Sequence, residues 1–429
     1  MATASAAKAP IATLTYSEGP PPRMKFAFAS GDKVPDVVFR DQRAVQQACQ
    51  RAGLYLQHLV RDSPERPRSA EELAAPLEAM SNKGRLLGQR LAGGSSDRFG
   101  EIRAAFRRSW PGWANPSRDD IPVVQFVAHD PSFPVELLPV FSNEVIHHLD
   151  NDGELATAAQ RFLGFSAVVR RVAPETGCTP DVLRNKQRLP IQFLRYLEPP
   201  RGLRKKRQWS GFEQEQVFLA SLGEVLAVDG PWPMSPVTRE EVAERVTAAL
   251  FDPSRGLGGA GGTPAELIHF ACHCETEDRI DDDYELILTD EKGERLPITL
   301  EQIQTGYDSL VGRGPKPGQR APVILNACGT STVNPWSGLS FQRWFLDNGH
   351  RAFIGTQAAI PDDVAADFAE RFYRYLLGGH TFGESLVLAR RQLLADTRSL
   401  LGLLYVLFGN DLLQVEVTHP QLLPVSPPG

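Results

Sequence analysis

Cysteine is scarce in this chain of 429 residues: five are present, Cys49, Cys178, Cys272, Cys274 and Cys328. So small and odd a number, spread so widely, argues against the disulfide framework that stabilises small secreted domains. Long apolar runs are absent too, none approaching the roughly 18 residues of a spanning helix, and the opening MATASAAKAP lacks the apolar stretch of a secretory leader. The expectation is a cytoplasmic protein without membrane contact. Neither sign of charge dominates, with 46 Lys and Arg against 52 Asp and Glu, so there is no global electrostatic footprint for nucleic acid. No repeat array or zinc-finger spacing occurs, and the glycine-rich stretch GLGGAGGTP lacks the Gly-Lys-Ser/Thr ending that a phosphate-binding loop requires.

What is present suits a globular protein, with 42% hydrophobic and 23% charged residues. Residues 1–22 are small, polar and proline-rich and are expected to be a disordered tail. Residues 23–119 read as a strand and helical region, with alternation in KFAFAS and DVVF and helical apolar spacing over 42–60, 69–92 and 97–109. From 120 to 209 short β-rich runs appear, IPVVQFVAHD, FPVELLPV and PIQFLRYLE, ending in a proline-rich junction at 199–210 with five basic residues in seven positions. The span 210–416 is the most regular. Helices near 211–226 and 238–251 precede the strand ELIHFACH, the hairpin YELILTD-EKGE-RLPIT, the strands APVILNAC and RAFIGTQ, two long helices and the strand LQVEV. Residues 417–429 are a tail. Alternating strands and helices predict an α/β fold with a largely parallel sheet.

In an open parallel sheet, reactive groups gather beyond the carboxyl ends of the strands. His273 ends one apolar strand and Cys328 ends another. A thiol, an imidazole to take and return its proton, and backbone N–H donors for an oxyanion are what a cysteine protease needs. Cys328 follows His273 by 55 residues (328 − 273), and caspases place their histidine about 50 residues before the nucleophile. Zinc must be weighed, since His269, Cys272, His273 and Cys274 are all ligand types. Strand alternation puts His269, Ala271 and His273 on one face and Cys272 and Cys274 on the other, so a shared tetrahedron is hard to form. No metal and no cofactor is expected.

On His269-Phe-Ala-Cys-His273, Leu325-Asn-Ala-Cys328, Gly338-Leu, Asn348-Gly349, Ile354-Gly355 and Phe408-Gly409-Asn-Asp411, the segment from about 120 to 416 resembles the CHAT domains, caspase-like cysteine peptidases of clan CD related to separase. Phe133-Pro-Val-Glu136-Leu-Leu is similar to the family's Pro-Trp-Glu-Leu-Leu element, with Val in place of Trp. The resemblance implies a caspase-like sheet flanked by helices, in which a degenerate caspase-like half at 120–209 precedes the catalytic half at 210–416. It implies Cys328 as nucleophile, His273 as general acid/base, and the backbone N–H groups of Cys274 and Cys328 as oxyanion hole. The family's substrate loop corresponds to 356–362, making Gln357 and Ala359 pocket candidates. Ala359 stands where relatives that cut after Arg carry an acid. The stretch Glu275–Glu285 sets seven carboxylates against one arginine, so Asp282 and Asp283 are also pocket candidates, suited to basic or amine-bearing substrate.

The function expected is a cysteine endopeptidase that cleaves a partner protein. The resemblance further implies a regulated bacterial defence or cell-death pathway, with an upstream sensor or activator protein. The alternative is a non-catalytic CHAT scaffold that binds its partner through the same cleft.

Overall fold

The structure is a computed structural model that describes residues 8–40, 42–61, 69–114, 120–128, 133–142, 144–172, 178–184, 188–195, 211–233, 238–251, 255–256, 259–260, 265–276, 284–290, 293–310, 320–327, 344–358 and 360–416. In chain order the first elements are β1 (Ala12–Ser17), β2 (Arg23–Phe28), β3 (Val37–Val38), α1 (Gln42–Arg61), α2 (Ala74–Leu91), α3 (Ser96–Ser109), β4 (Val123–Val127), α4 (Asp152–Ala159), α5 (Leu163–Ser166) and β5 (Val168–Val172). Next come β6 (Asp181–Arg184), β7 (Leu189–Arg195), α6 (Gly211–Ser221), β8 (Leu226–Trp232), α7 (Arg239–Phe251), β9 (Arg255–Gly256), β10 (Gly259–Ala260), β11 (Leu267–Thr276), β12 (Tyr284–Thr289), β13 (Arg295–Thr299) and α8 (Leu300–Leu310). The last are β14 (Val323–Ala327), β15 (Ala352–Thr356), α9 (Asp362–Leu377), α10 (Phe382–Thr397), β16 (Tyr405–Gly409) and β17 (Leu413–Glu416).

These elements form two compact units, one from 1–181 with 380–413, the other from 182–379 with 414–429. The boundaries expected at 119/120 and 209/210 do not coincide with them, because pairing sets the units: β4 joins β1, and β7 joins β11. Segments 199–210 and 417–429 lie outside the described residues.

In the first unit the strands run β3-β2-β1-β4-β5, antiparallel from β3 to β1 and parallel from β1 through β4 to β5. The expected tail of 1–22 therefore holds a central strand. Ala12, Leu14 and Tyr16 point inward and are buried, and the Tyr16 ring meets Phe133 at 4.8 Å. Thr13, Thr15 and Ser17 made the stretch look polar because composition averages the two faces of a strand. FPVELLPV is likewise not a strand: it holds a single 3-10 turn, Val135–Leu137, between prolines that cannot donate to a ladder.

That turn buries Glu136. Both of its oxygens accept from Arg171, at 2.6 and 2.5 Å. Arg390 is also buried; it donates to the carbonyls of Gly164 and Tyr405 and stands 3.8 Å from Glu136. Burial lowers its pKa to about 10. One carboxylate thus faces two enclosed guanidinium groups.

The second unit carries the parallel order β8-β7-β11-β14-β15. The hairpin β12–β13 attaches antiparallel to the last residues of β11. The helix expected to reach 226 ends at Ser221, and β8 follows. Its pattern is disguised by Gly230, at φ +141°, and by Pro231. Gly230 is required there, since a Cβ would come within 2.4 Å of the Phe193 carbonyl oxygen.

Two predictions concern stability. Removing the carboxylate charge by Glu136→Gln leaves buried cations unbalanced, and the unfolding free energy is expected to fall by about 3–5 kcal/mol. A denaturant midpoint that shifts by less than about 1 kcal/mol in free-energy terms contradicts this. In the second unit the buried ring of His350 donates from Nδ1 to the Ala321 carbonyl at 2.6 Å. Burial first, and Arg320 and Arg351 after it, bring its pKa from 6.5 down to about 4. The unfolded chain therefore protonates first: stability is intact above the unfolded value and is lost as the pH falls from there towards 4. His350→Gln should flatten that part of the stability profile, and an unchanged slope would contradict the assignment.

Candidate active site

β11 belongs to two ladders. Its parallel pairing with β14 runs His269↔Ile324, Phe270↔Leu325, Ala271↔Asn326 and Cys272↔Ala327. The next residue, His273, is the first to pair antiparallel with β12, opposite Ile287. The strand therefore does not stop at His273, as the sequence suggested, but continues to Thr276 because the hairpin takes over its edge. β14 and β15 end close to the level of Cys272 on β11. β15 pairs Ile354 with Ile324, and Gln357 lies as far beyond Ile354 as Ala327 lies beyond Ile324.

Side chains alternate along a strand, so His269, Ala271 and His273 share a face with Asn326. A buried polar cluster fixes that face. The Glu215 carboxylate, on α6, accepts from His269 Nε2 at 2.6 Å and from Asn326 Nδ2 at 2.8 Å. The other His269 nitrogen meets the Tyr373 hydroxyl, on α9, at 3.0 Å, and Asn326 Nδ2 also donates to the Ala365 carbonyl at 3.0 Å. With Nε2–H given to the carboxylate, Nδ1 is left to accept the phenol proton. Burial, reinforced by Glu215, raises the Tyr373 pKa well above the ordinary phenol value, which keeps that proton in place. All four side chains are buried.

His273 is half-buried, four residues along from His269 on the same face. Its ring takes the edge contact of Phe212, on α6, with centroids 5.4 Å apart and planes at 84°. The first turn of α6 lies close to α9. A Cβ on Gly211 would come within 1.9 Å of the Asp362 carbonyl oxygen, and the Gly211 N–H donates to the Asp362 side chain at 3.0 Å. One helix thus supplies both the hub of the buried cluster and the aromatic contact of His273.

Of the other expected site residues, Cys274 is buried and pairs opposite Leu286. Gln357 is 6% exposed just after β15, and among the described residues its Oε1 has no hydrogen-bond partner. Cys328, Ala359, Asp282 and Asp283 lie outside the described residues. Burial pushes the Cys272 thiol well up and the Cys178 thiol to about 12, so both stay protonated and poorly nucleophilic at neutral pH. Among the described residues no group of three or more His, Cys, Asp or Glu could hold a metal ion. None of their helices is long and apolar enough to cross a membrane.

Glu215, Asn326, Tyr373 and Phe212 were not singled out from the sequence. The readable signals were a carboxylate on the buried stripe Phe212, Glu215, Leu219 and one amide inside the apolar run VILNA.

Residues 213–420 match the CHAT domain family. Solved structures similar to the chain include the Arg-specific cysteine proteinase gingipain R, at 12% identity and a TM-score of 0.40 over 81% of this chain and 76% of that one. The complex of RgpB pro- and mature domains from Porphyromonas gingivalis gives 10% identity and 0.39 over 82% and 79%. The separase–securin complex of Saccharomyces cerevisiae gives 9% and 0.40 over 94% of this chain and 30% of that one. No curated protein matches the sequence.

Deleting the hub by Glu215→Ala leaves the His269 and Asn326 donors buried without their acceptor, at an expected cost of about 2–5 kcal/mol in unfolding free energy. Urea unfolding reads it, and a loss below about 0.5 kcal/mol would contradict the hydrogen-bond assignment.

Proposed function

We propose that the CHAT domain at residues 213–420 is a cysteine endopeptidase in which Cys328 is the nucleophile and His273 the general acid/base. The observation that carries the proposal is the register of β11 and β14. Their last parallel pair is Cys272↔Ala327, and the residues that follow these two in the sequence are His273 and Cys328. Adjacent strands lie about 4.8 Å apart, so side chains rising from neighbouring positions on one face can lean into the hydrogen-bond contact that proton transfer needs.

In the proposed reaction His273 takes the Cys328 proton and the thiolate attacks the scissile carbonyl carbon. The backbone N–H groups of Cys274 and Cys328 receive the oxyanion. The imidazolium gives its proton to the leaving amine as the C–N bond breaks, and the thioester remains. His273 then deprotonates water, which displaces the thiolate and frees the new carboxyl terminus. Water and peptide are consumed, and amine and acid are produced, so no cofactor is called for.

Gln357 supports a substrate preference. Its buried Oε1 finds no donor among the described residues, and a P1 side chain carrying N–H groups would supply one at a site where an unmet acceptor is costly. Asp282, Asp283 and Ala359 complete the proposed pocket, the carboxylates favouring a basic or amine-bearing residue. A reactive thiol needs a reducing compartment, in keeping with a cytoplasmic site. We extend the reading to cleavage of a partner protein in bacterial defence or cell death, released by a separate sensor or activator.

The test is peptide cleavage. On a proteome-derived peptide library the wild-type chain should create new amino termini, enriched after residues whose side chains donate hydrogen bonds. His273→Ala should lower the rate about 10²- to 10⁴-fold, and Cys328→Ala should abolish cleavage. Cleavage that survives Cys328→Ala rules out this nucleophile. Partner binding by a wild-type chain that never cleaves would favour the scaffold.

A further inference from the structure

The first unit carries a surface that the peptidase reading does not use. α1 and α2 border a groove of about 450 Å³. α1 presents Arg51, Leu54 and Tyr55 to it, and α2 presents Lys83, Leu86 and Arg90. Large apolar side chains are rarely left open in this structure, yet Leu54 is 50% and Leu86 56% exposed, and both line this one groove.

Its charge is one-sided. α1 contains no Asp or Glu along its whole length, and among the described residues no carboxylate lines the groove. The single acid of α2, Glu78, stands outside the lining and is engaged by Arg85 at 2.7 Å and by the Ile146 N–H at 2.9 Å. Arg51, Lys83 and Arg90 make no side-chain ion pair or hydrogen bond with any described residue. Three cations without a charged partner among the described residues, set around exposed leucines on a chain whose net charge is −6, form a local exception to the molecule's own balance.

We propose that this groove is a docking site for an acidic, amphipathic helical segment of a partner protein. The lining positions recur at helical spacing, 47, 51, 54, 55 and 58 on α1 and 83, 86, 87 and 90 on α2, giving a trough about two to three turns long. A third helix with apolar residues at i, i+3 or i+4, and i+7 fits such a trough, as amphipathic helices fit grooves elsewhere. Its carboxylates would answer Arg51, Lys83 and Arg90, and its apolar stripe would cover Leu54 and Leu86. The leucines favour a protein segment over a nucleic acid, since sugar and phosphate give exposed leucine side chains nothing to bury. This inference stands independently of whether His273 and Cys328 are catalytic.

The experiment pans a random 16-residue peptide library against the full chain, then measures the enriched peptides by fluorescence anisotropy at low and high salt. The expected result is an enriched set with Asp or Glu in excess and apolar residues at helical spacing. Its binding should weaken at least tenfold with Arg51→Glu plus Arg90→Glu, weaken likewise with Leu54→Ser plus Leu86→Ser, and fall with added salt. All four positions are solvent-facing or line the groove, and thermal unfolding checks that the variants stay folded. Should the charge-reversal pair unfold the unit, the serine pair decides alone. Enriched peptides without acidic excess, or binding unchanged in the folded variants, overturns the proposal. So does a poly(U) RNA that binds more tightly than the peptides and ignores the serine substitutions.

Discussion

The Glu215 carboxylate is the contact on which the second unit's candidate site depends. It takes one hydrogen bond from His269 on β11 and one from Asn326 on β14, so a single side chain on α6 fastens the two strands that lead to His273 and Cys328. The bonds sit in a buried setting, where a polar cluster must be complete or be costly. Tyr373 and the Ala365 carbonyl complete it from α9. The same helix that anchors both strands sets Phe212 against the His273 ring. Strand register, ring orientation and helix position are therefore consequences of one buried network.

The register explains why the proposed chemistry is placed at this end of the sheet. β11 runs parallel to β14 up to Cys272, then turns to the β12 hairpin at His273. At that residue β11 passes from its parallel pairing with β14 to the antiparallel hairpin. A histidine placed at the change of partner is neither a core residue like His269 nor a surface one. It stays partly exposed while its ring is held from one side.

Much of this was legible in the sequence. The apolar runs of β11, β14 and β15 and the long amphipathic α9 announce themselves by period, and most residues that carry the resemblance to CHAT domains, though not Phe133–Leu138, lie within the 213–420 match. What escaped was set by tertiary partners. Alternation over Ala12–Ser17 was hidden by polar outward residues, and β8 by the Gly230–Pro231 break. FPVELLPV looked like a strand, yet its Glu136 is spent on Arg171 across the fold. Glu215 and Asn326 carry ordinary side chains, and only the distance between their elements reveals that they meet.

The central claim is that His273 activates the thiol of Cys328, and it has a direct reading: the pH dependence of Cys328 alkylation by iodoacetamide, followed peptide by peptide by mass spectrometry. An imidazole-paired thiol reacts with an inflection below the ordinary cysteine value of about 8.5. The account predicts such an early inflection at Cys328 in the wild-type chain and its return towards the ordinary value in His273→Ala. Identical profiles in the two proteins would contradict it.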